Sequence, residues 1–186
     1  GANYMAHSEL ASFGLALLFV SALLLALFGS LKAGAIALIP NLIPPMLGYG
    51  ALGIMGVPLD ITTLMIAPII IGIAVDDTVH FLTRYRNEVS IDGDIRRALQ
   101  TTLESVGQSV VFTTLILGLG FGIMSLASNA GTANLGTFGF LAIVVGLLND
   151  LFLLPAMILA FKLKFQKRAS SSEPFVQATE SQWRQA

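Results

Sequence analysis

Charge and cysteine are what this sequence has least of. Only 11% of its 186 residues are charged, whereas a soluble domain averages about 25%. Cysteine is absent, which excludes a disulfide framework and any site built on a thiol. Hydrophobic residues make up 55% of the chain, and long windows between the charged clusters contain no charge. This distribution is typical of a polytopic membrane protein.

Five segments are long and apolar enough to cross a bilayer core, which takes about 20 apolar residues per helix. Because a backbone in lipid must satisfy its own hydrogen bonds, we expect helices, and the predicted fold class is an all-α membrane bundle. The spans are predicted at residues 9–29, 33–55, 61–82, 109–127 and 136–161. Prolines inside the second span predict a kink or an unwound turn there.

The basic residues test this count of spans. All ten Lys and Arg residues fall outside the spans, and five crossings place every one of them on the same side. The other side keeps the loops GVPLD and SNAGTANL, which have none. The positive-inside rule then places the basic side, and with it the C-terminus, in the cytoplasm. A different number of spans would scatter the arginines over both sides.

Two segments outside the spans have a clear character. Residues 95–107 carry apolar side chains at helical spacing after Asp94, a candidate N-cap. They predict an amphipathic helix on the cytoplasmic membrane surface, with Arg96 and Arg97 near the headgroups. Residues 164–186 are polar and are predicted to form a disordered cytoplasmic tail, which leaves residues 1–163 as the membrane domain.

The stretch GIAVDDTVHFLT, residues 72–83, carries two adjacent carboxylates into the third span. An aspartate at the bilayer centre costs roughly 2.5–3.5 kcal/mol on insertion scales. Asp76 and Asp77 must therefore face a polar cluster or a wet cavity, or be protonated. Apolar surroundings and a neighbouring carboxylate both favour the protonated form. We expect the pair to titrate as a coupled unit with at least one proton bound near neutral pH. The sequence does not choose which of the two carries it.

Other polar residues in the spans are weaker candidates for the same proton relay. They are His80, Thr113, Thr114 and Asp150. Each also has a plainer explanation, such as an interface position for His80, hydrogen bonding of a threonine to its own helix, or helix packing for Asp150. Without a second histidine at depth, no metal site is predicted. The glycines predicted to pack helices are Gly72, Gly118, Gly122 and Gly146.

GIAVDDTVHFLTRYR resembles the fourth-helix motif of the resistance–nodulation–division (RND) permeases, with its GxxxDD pattern at Gly72, Asp76 and Asp77. LIPNLIPPMLGYGALGIMGVPLDITT and GTFGFLAIVVGLLNDLFLLPAMI resemble the helix before that motif and the last helix of the family. The resemblance covers most of residues 8–163. It is to the branch that includes the MMPL lipid exporters, the hopanoid exporters and sterol-sensing-domain proteins such as Patched and Dispatched.

The resemblance implies that the five spans are helices 8–12 of a longer permease. An N-terminal half and an extracytoplasmic porter domain would then lie outside this sequence, in keeping with a first residue, Gly1, that is not Met. The family role of the paired aspartates, which relay protons, carries over to Asp76 and Asp77. Members of the multidrug branch pair these aspartates with a membrane lysine, and no span here contains Lys or Arg.

The implied protein is an exporter of lipid or other hydrophobic molecules, driven by the proton-motive force, in the cell membrane (the inner membrane of a bacterium). Protons are the coupling ion and no cofactor is expected. The expected partners are the lipid bilayer, the hydrophobic substrate and the missing parts of the same protein. A homo-oligomer is left open, and no nucleic acid is expected to bind.

Two other functions stay open at the level of the sequence. A five-helix sterol-sensing-type domain would bind lipid without a transport cycle. A Sec-type accessory subunit for protein export shares the architecture, although its motif normally has one aspartate and an ERxRE-like run that residues 84–88 only partly match. An enzyme is not expected, because the chain has neither HExxH nor GxSxG.

Overall fold

The structure, a computed structural model, describes residues 2–58, 60–163 and 165, so the predicted tail of residues 164–186 lies almost wholly outside the described residues. This part of the chain is helical and contains no strand. The elements are α1 (Ala2–Phe28), α2 (Leu31–Ile54), α3 (Ile61–Leu64), α4 (Ile66–Asp92), α5 (Ile95–Met124), α6 (Ala130–Leu148), a π-helix (Asn149–Leu153) and α7 (Leu154–Phe161). Among the described residues, four helical segments are long and apolar enough to cross a membrane, and Gly14–Phe28 is a shorter apolar one. The predicted all-α bundle is confirmed.

The prolines of α2 do not unwind it, in contrast to one of the two predicted outcomes. The helix continues through Pro40, Pro44 and Pro45. Proline has no N–H, so each one leaves a carbonyl four residues earlier without its helical donor. Pro44 does this to the carbonyl of Pro40, and the side-chain amide of Asn149 donates a hydrogen bond to that oxygen at 3.0 Å. The last membrane segment therefore supplies a hydrogen bond that α2 lacks.

The predicted surface helix and the fourth span are a single element, α5. Asp94 caps it as expected, since its carboxylate accepts from the backbone N–H groups of Arg96 and Arg97. No proline separates the two parts, and Gly107 packs against Leu151 rather than ending the helix. At 1.5 Å per residue α5 is about 45 Å long, whereas the hydrocarbon core is about 30 Å thick. Part of this helix must therefore extend beyond the hydrocarbon.

The last predicted span, residues 136–161, contains a π-helix in its middle. The N–H of Leu154 donates to the carbonyl of Asn149, five residues earlier, instead of to the carbonyl four residues earlier. Pro155 follows at once and has no N–H for the carbonyl of Leu151, which removes another α-helical bond. The wider turn leaves Asp150 almost fully buried, with 2% of its surface exposed.

One end of the bundle gathers the segments that carry the basic residues. The Arg86 guanidinium donates to the carbonyl of Leu27 at 3.1 Å and lies 5.4 Å from the ring centre of Phe165. The Tyr85 hydroxyl donates to the carbonyl of Leu163 at 2.5 Å. These contacts join the last turn of α1, the C-terminal part of α4 and the residues after α7. The placement of these loops on the cytoplasmic side stays a prediction.

The buried apolar side chains form two clusters with a gap between them. On α4, for example, Ile66 and Ile70 belong to one cluster, and Phe81 and Tyr85 belong to the other. The same division occurs on α2 and on the last membrane segment. The buried polar side chains described next lie at this junction in all three segments.

Candidate functional site

Three buried polar side chains from three segments meet at the junction of the two apolar clusters. The Thr78 hydroxyl on α4 lies 2.9 Å from Asp150 Oδ1 in the π-helix and 3.0 Å from Asn41 Oδ1 on α2. The exposed fractions of Asn41, Thr78 and Asp150 are 3%, 0% and 2%. Burial of polar groups is tolerable only when they are hydrogen-bonded, and each of these has a partner. We call these three residues the polar junction.

A second carboxylate lies beside the polar junction. Asp77 is half-buried and lines a small cavity together with Thr114 of α5 and Asp150. The rest of the lining is apolar apart from Gly146. The cavity volume is about 10 Å³, close to the least that one water molecule needs. Two carboxyl groups from different helices therefore face one space of about the size of a single water.

Asp76 lies on a different face from its neighbour. Its side chain and that of His80 are each 73% exposed, and His80 Nε2 is 3.6 Å from Asp76 Oδ1. The four-residue spacing stacks these two on one side of α4, together with Gly72. The structure therefore divides the predicted relay into a buried part around Asp77 and an exposed pair, Asp76 and His80.

The two adjacent threonines of α5 also differ. Thr113 is exposed, and its hydroxyl lies 3.0 Å from the carbonyl oxygen of Val110 and 3.2 Å from that of Ser109, both acceptors in its own helix. Thr114 is buried and lines the cavity with the two carboxylates. Of the pair, Thr114 is the one that lies on the cavity with the two carboxylates.

The predicted packing glycines have unequal surroundings. A Cβ on Gly118 would lie 3.4 Å from the Phe140 ring, and one on Gly146 would lie 3.8 Å from Pro44. A Cβ on Gly72 or Gly122 would meet no atom within 4 Å in the described part of the chain, so any close neighbour of these two must come from outside it. The closest helix contact is at Gly136, which the sequence analysis missed, because a Cβ there would run into the backbone of α5.

Three polar residues of this region were not among the predicted site residues. They are Asn41, Thr78 and Asn149. Thr78 follows the aspartate pair directly, and Asn41 lies among the prolines of α2, where free carbonyls attract donors. Asn149 precedes Asp150 in the π-helix. Within the described residues, no group of three or more His, Cys, Asp or Glu side chains is arranged to hold a metal ion.

Known proteins similar to this chain are membrane proteins. A candidate membrane protein of Methanocaldococcus jannaschii, MJ1562, is 35% identical over 121 residues, which are 65% of this chain and 31% of that protein. A candidate membrane protein of Streptomyces coelicolor, ActII-3, is 28% identical over 100 residues, which are 54% of this chain and 14% of that protein. The chain thus spans less than a third of the length of these relatives.

The family profile that matches is that of the MMPL family, and the match covers residues 2–186. This agrees with the resemblance carried by the Asp76–Asp77 motif and with the apolar helices of the bundle. The chain is a multi-pass membrane protein, and it belongs to the MMPL family.

Proposed function

We propose that this chain is the membrane-embedded part of an RND-type exporter that uses the proton-motive force to move lipid or other hydrophobic molecules. The observation that carries the proposal is the position of Asp77 and Asp150 on one small cavity between helices. Ionisable residues are expensive at membrane depth and are kept there mainly for function, above all in proton relays. Two carboxyl groups that share a space of about one water molecule are suited to exchange a proton.

In this proposal the buried part of the relay runs through Asp77, Thr114 and Asp150. The exposed pair, Asp76 and His80, is the outer part, where protons enter or leave. Moving one proton charge across the membrane supplies about 2.3 kcal/mol per 100 mV. Because Asp150 is bonded through Thr78 toward α2, its protonation state acts on the contacts between three membrane segments. Proton uptake and release can thereby drive a change in helix packing.

The proposal includes no enzymatic activity and no cofactor other than the coupling proton. The cell membrane is the proposed location, and the positive-inside rule places the basic end and the C-terminus in the cytoplasm. Substrate movement is assigned to the remainder of the protein, since this chain spans less than a third of its relatives. The lipid bilayer and that remainder are the proposed partners.

The test uses the full-length protein that contains this chain, reconstituted in vesicles with an imposed pH gradient. A fluorescent phospholipid analogue reports transport, and a trapped pH-sensitive dye reports proton flux. Asp77→Asn and Asp150→Asn are each expected to lower proton-coupled transport by about a hundredfold or more, the scale on which positioned proton-transfer groups act. Thr113→Val, at an exposed position of α5 whose hydroxyl bonds to its own helix, is the control and is expected to transport normally.

Unchanged proton-coupled transport in both aspartate variants would sink the proposed relay. Another result would favour the main alternative, a sterol-sensing-type domain. If lipid changes the conformation of the protein while no variant and no gradient affects proton flux, a sterol-sensing-type function is favoured over transport.

A further inference from the structure

The hydroxyl of Thr78 has two acceptors and one hydrogen. Asp150 Oδ1 is 2.9 Å away and Asn41 Oδ1 is 3.0 Å away. A hydroxyl can donate one hydrogen bond and accept others. Because Thr78 is fully buried, its hydrogen bonds are made within the protein. Thr78 can therefore donate to Asp150 or to Asn41, but not fully to both at once.

The charge on Asp150 determines which of the two acceptors receives the hydrogen bond from Thr78. A hydrogen bond to an ionised carboxylate is roughly twice as strong as one between neutral groups, so ionised Asp150 takes the hydrogen of Thr78. A protonated carboxyl group has an O–H of its own and can donate it. Thr78 then accepts from Asp150 and is free to donate to Asn41. Protonation thus reverses the bond between Asp150 and Thr78 and allows Thr78 to donate to the Asn41 side-chain oxygen.

Asn41 is held so that it can receive this bond. Its side-chain N–H donates to the carbonyl of Ala37 at 2.9 Å, which turns its oxygen toward Thr78. The surrounding turn of α2 has few hydrogen bonds of its own, because Pro44 and Pro45 lack the N–H groups that the carbonyls of residues 40 and 41 would otherwise accept from. A change at Asn41 therefore acts on the part of α2 that has the least internal support.

We propose that Asn41, Thr78 and Asp150 form a hydrogen-bond switch, in which protonation of Asp150 transfers the Thr78 hydrogen bond from Asp150 to Asn41 and so transmits the state of the carboxyl group to α2. The inference rests on the proposed function only in requiring that Asp150 gains and loses a proton. Thr78 and Asn41 are positioning residues in this switch, since they act through Asp150.

Each segment packed around Asp150 contributes groups that face it. Asp77 of α4 is the other titratable side chain on the cavity, and Thr114 of α5 is polar and uncharged. The remaining cavity lining from α6 is apolar or glycine, and α2 contributes Asn41 through Thr78. The test must therefore separate the signal of Asp150 from that of Asp77.

Infrared difference spectroscopy between high and low pH, on the full-length protein in membranes, provides the test. Protonated carboxyl groups give a C=O stretching band whose frequency rises when a hydrogen bond to the group is lost. The band that disappears in Asp150→Asn and persists in Asp77→Asn belongs to Asp150. We expect Thr78→Val to move this band to higher frequency, and Thr78→Ser, which keeps the hydroxyl, to leave it in place. Thr113→Val is the matched control and is expected to leave the band unmoved.

Asn41→Leu tests the second half of the switch. Hydrogen bonds in a chain strengthen one another, so removing the acceptor of Thr78 is expected to move the Asp150 band in the same direction by a smaller amount. The double variant Thr78→Val, Asn41→Leu is expected to match Thr78→Val alone, because both changes break one chain. If Thr78→Val does not fold, the shift in Asn41→Leu alone decides the result.

Three results would overturn the switch. They are the absence of any pH-dependent band that depends on Asp150, an unmoved band in folded Thr78→Val or Asn41→Leu protein, and additive shifts in the double variant. The transport assay tests the proposed proton relay independently of the hydrogen-bond switch. Band shifts as expected, together with normal transport in Asp77→Asn and Asp150→Asn, would leave the switch standing without the proposed exporter mechanism.

Discussion

The adjacent residues Asp76 and Asp77 lie on two faces of α4 that differ in burial. Asp77 faces a cavity that Asp150 shares, whereas Asp76 is 73% exposed beside His80. Adjacent residues on a helix point about 100° apart, so one neighbouring surface cannot serve both. The two adjacent carboxylates of the sequence therefore have different surroundings in the structure: Asp150 lines the same cavity as Asp77, and His80 lies beside Asp76.

The buried face of α4, which includes Thr78, Phe81, Leu82 and Tyr85, satisfies its polar groups within the described chain. The open face, with Gly72, Asp76 and His80, is different: within the described residues Asp76 and His80 pair with each other, both side chains are 73% exposed, and a Cβ on Gly72 would meet no atom within 4 Å. Charged groups at membrane depth almost always face protein or water. The open face therefore needs polar cover from beyond these helices, and the buried face does not.

The largest effect in this comparison is expected from Thr78→Leu on the buried face. The larger side chain overpacks a closed site, at about 1–3 kcal/mol, and removes the donor of Asp150 and Asn41, at about 1–3 kcal/mol more. We expect a loss of several kcal/mol in the free energy of unfolding, read by circular dichroism in detergent. Thr113→Leu, at an exposed position of α5, is the control. Its free energy of unfolding is expected to equal that of the wild type. Equal stability of the two variants would contradict the contrast between faces.

A smaller loss is expected from Tyr85→Phe, which extends the comparison to the basic end of the same face. The change removes the hydroxyl that bonds the buried carbonyl of Leu163, and such a bond contributes about 1 kcal/mol. Denaturant unfolding is expected to show a loss of about 1 kcal/mol in the free energy of unfolding. Tyr49→Phe, which removes a hydroxyl bond to the carbonyl of Leu64 from a half-buried residue, is expected to cost less. A larger loss of stability in Tyr49→Phe than in Tyr85→Phe would show that burial of the tyrosine does not determine the loss.

On the open face, His80→Leu and Asp76→Asn are expected to change the free energy of unfolding of this chain by no more than about 0.5 kcal/mol. Exposed ion pairs four residues apart contribute at most that much, and both side chains are 73% exposed. The same unfolding assay applies. A loss as large as that of Thr78→Leu would mean that the open face is already packed by protein.

The smallest effect is expected at Asp60, an exposed carboxylate before α3 and outside the predicted spans. The backbone N–H of Thr63 and then its hydroxyl bind this carboxylate and hold its pKa below the ordinary 3.8. A lowered pKa stabilises the fold above the ordinary value, and this contribution is lost as the pH falls through the folded pKa. Unfolding temperatures are expected to drop slightly below about pH 4. Asp60→Asn keeps the cap and should remove that drop. If Asp60→Asn shows the same drop in unfolding temperature at low pH, the drop is caused by another titratable group.

Some helix positions lie close to those expected from the sequence because apolar length is a local property. The second span, predicted at 33–55, is α2 at Leu31–Ile54, and the third begins near its predicted start. Its end differs more, since α4 continues to Asp92 after the apolar run stops. A helix with no proline or capping glycine continues into polar sequence, which also explains why α5 contains the predicted surface helix.

The site was harder to predict because it depends on which helices are neighbours. Hydropathy and spacing identified Asp77, Thr114 and Asp150 as candidates but did not separate Asp77 from Asp76. Separating them requires knowing that the last segment lies against the Asp77 face. The π-helix that aims Asp150 inward follows from missing backbone donors and local packing, which no periodic pattern reveals.

The unbroken course of α5 has a mechanical consequence. A helix of about 45 Å without a hinge moves as a rigid rod, so a tilt of about 5° about one end displaces the other end by about 4 Å. Thr114 is on this rod beside the two carboxylates, and the Asp94 cap is at its basic end. A tilt of α5 about its Met124 end would therefore displace the Asp94 end, roughly 30 Å from Thr114, more than it displaces Thr114 itself.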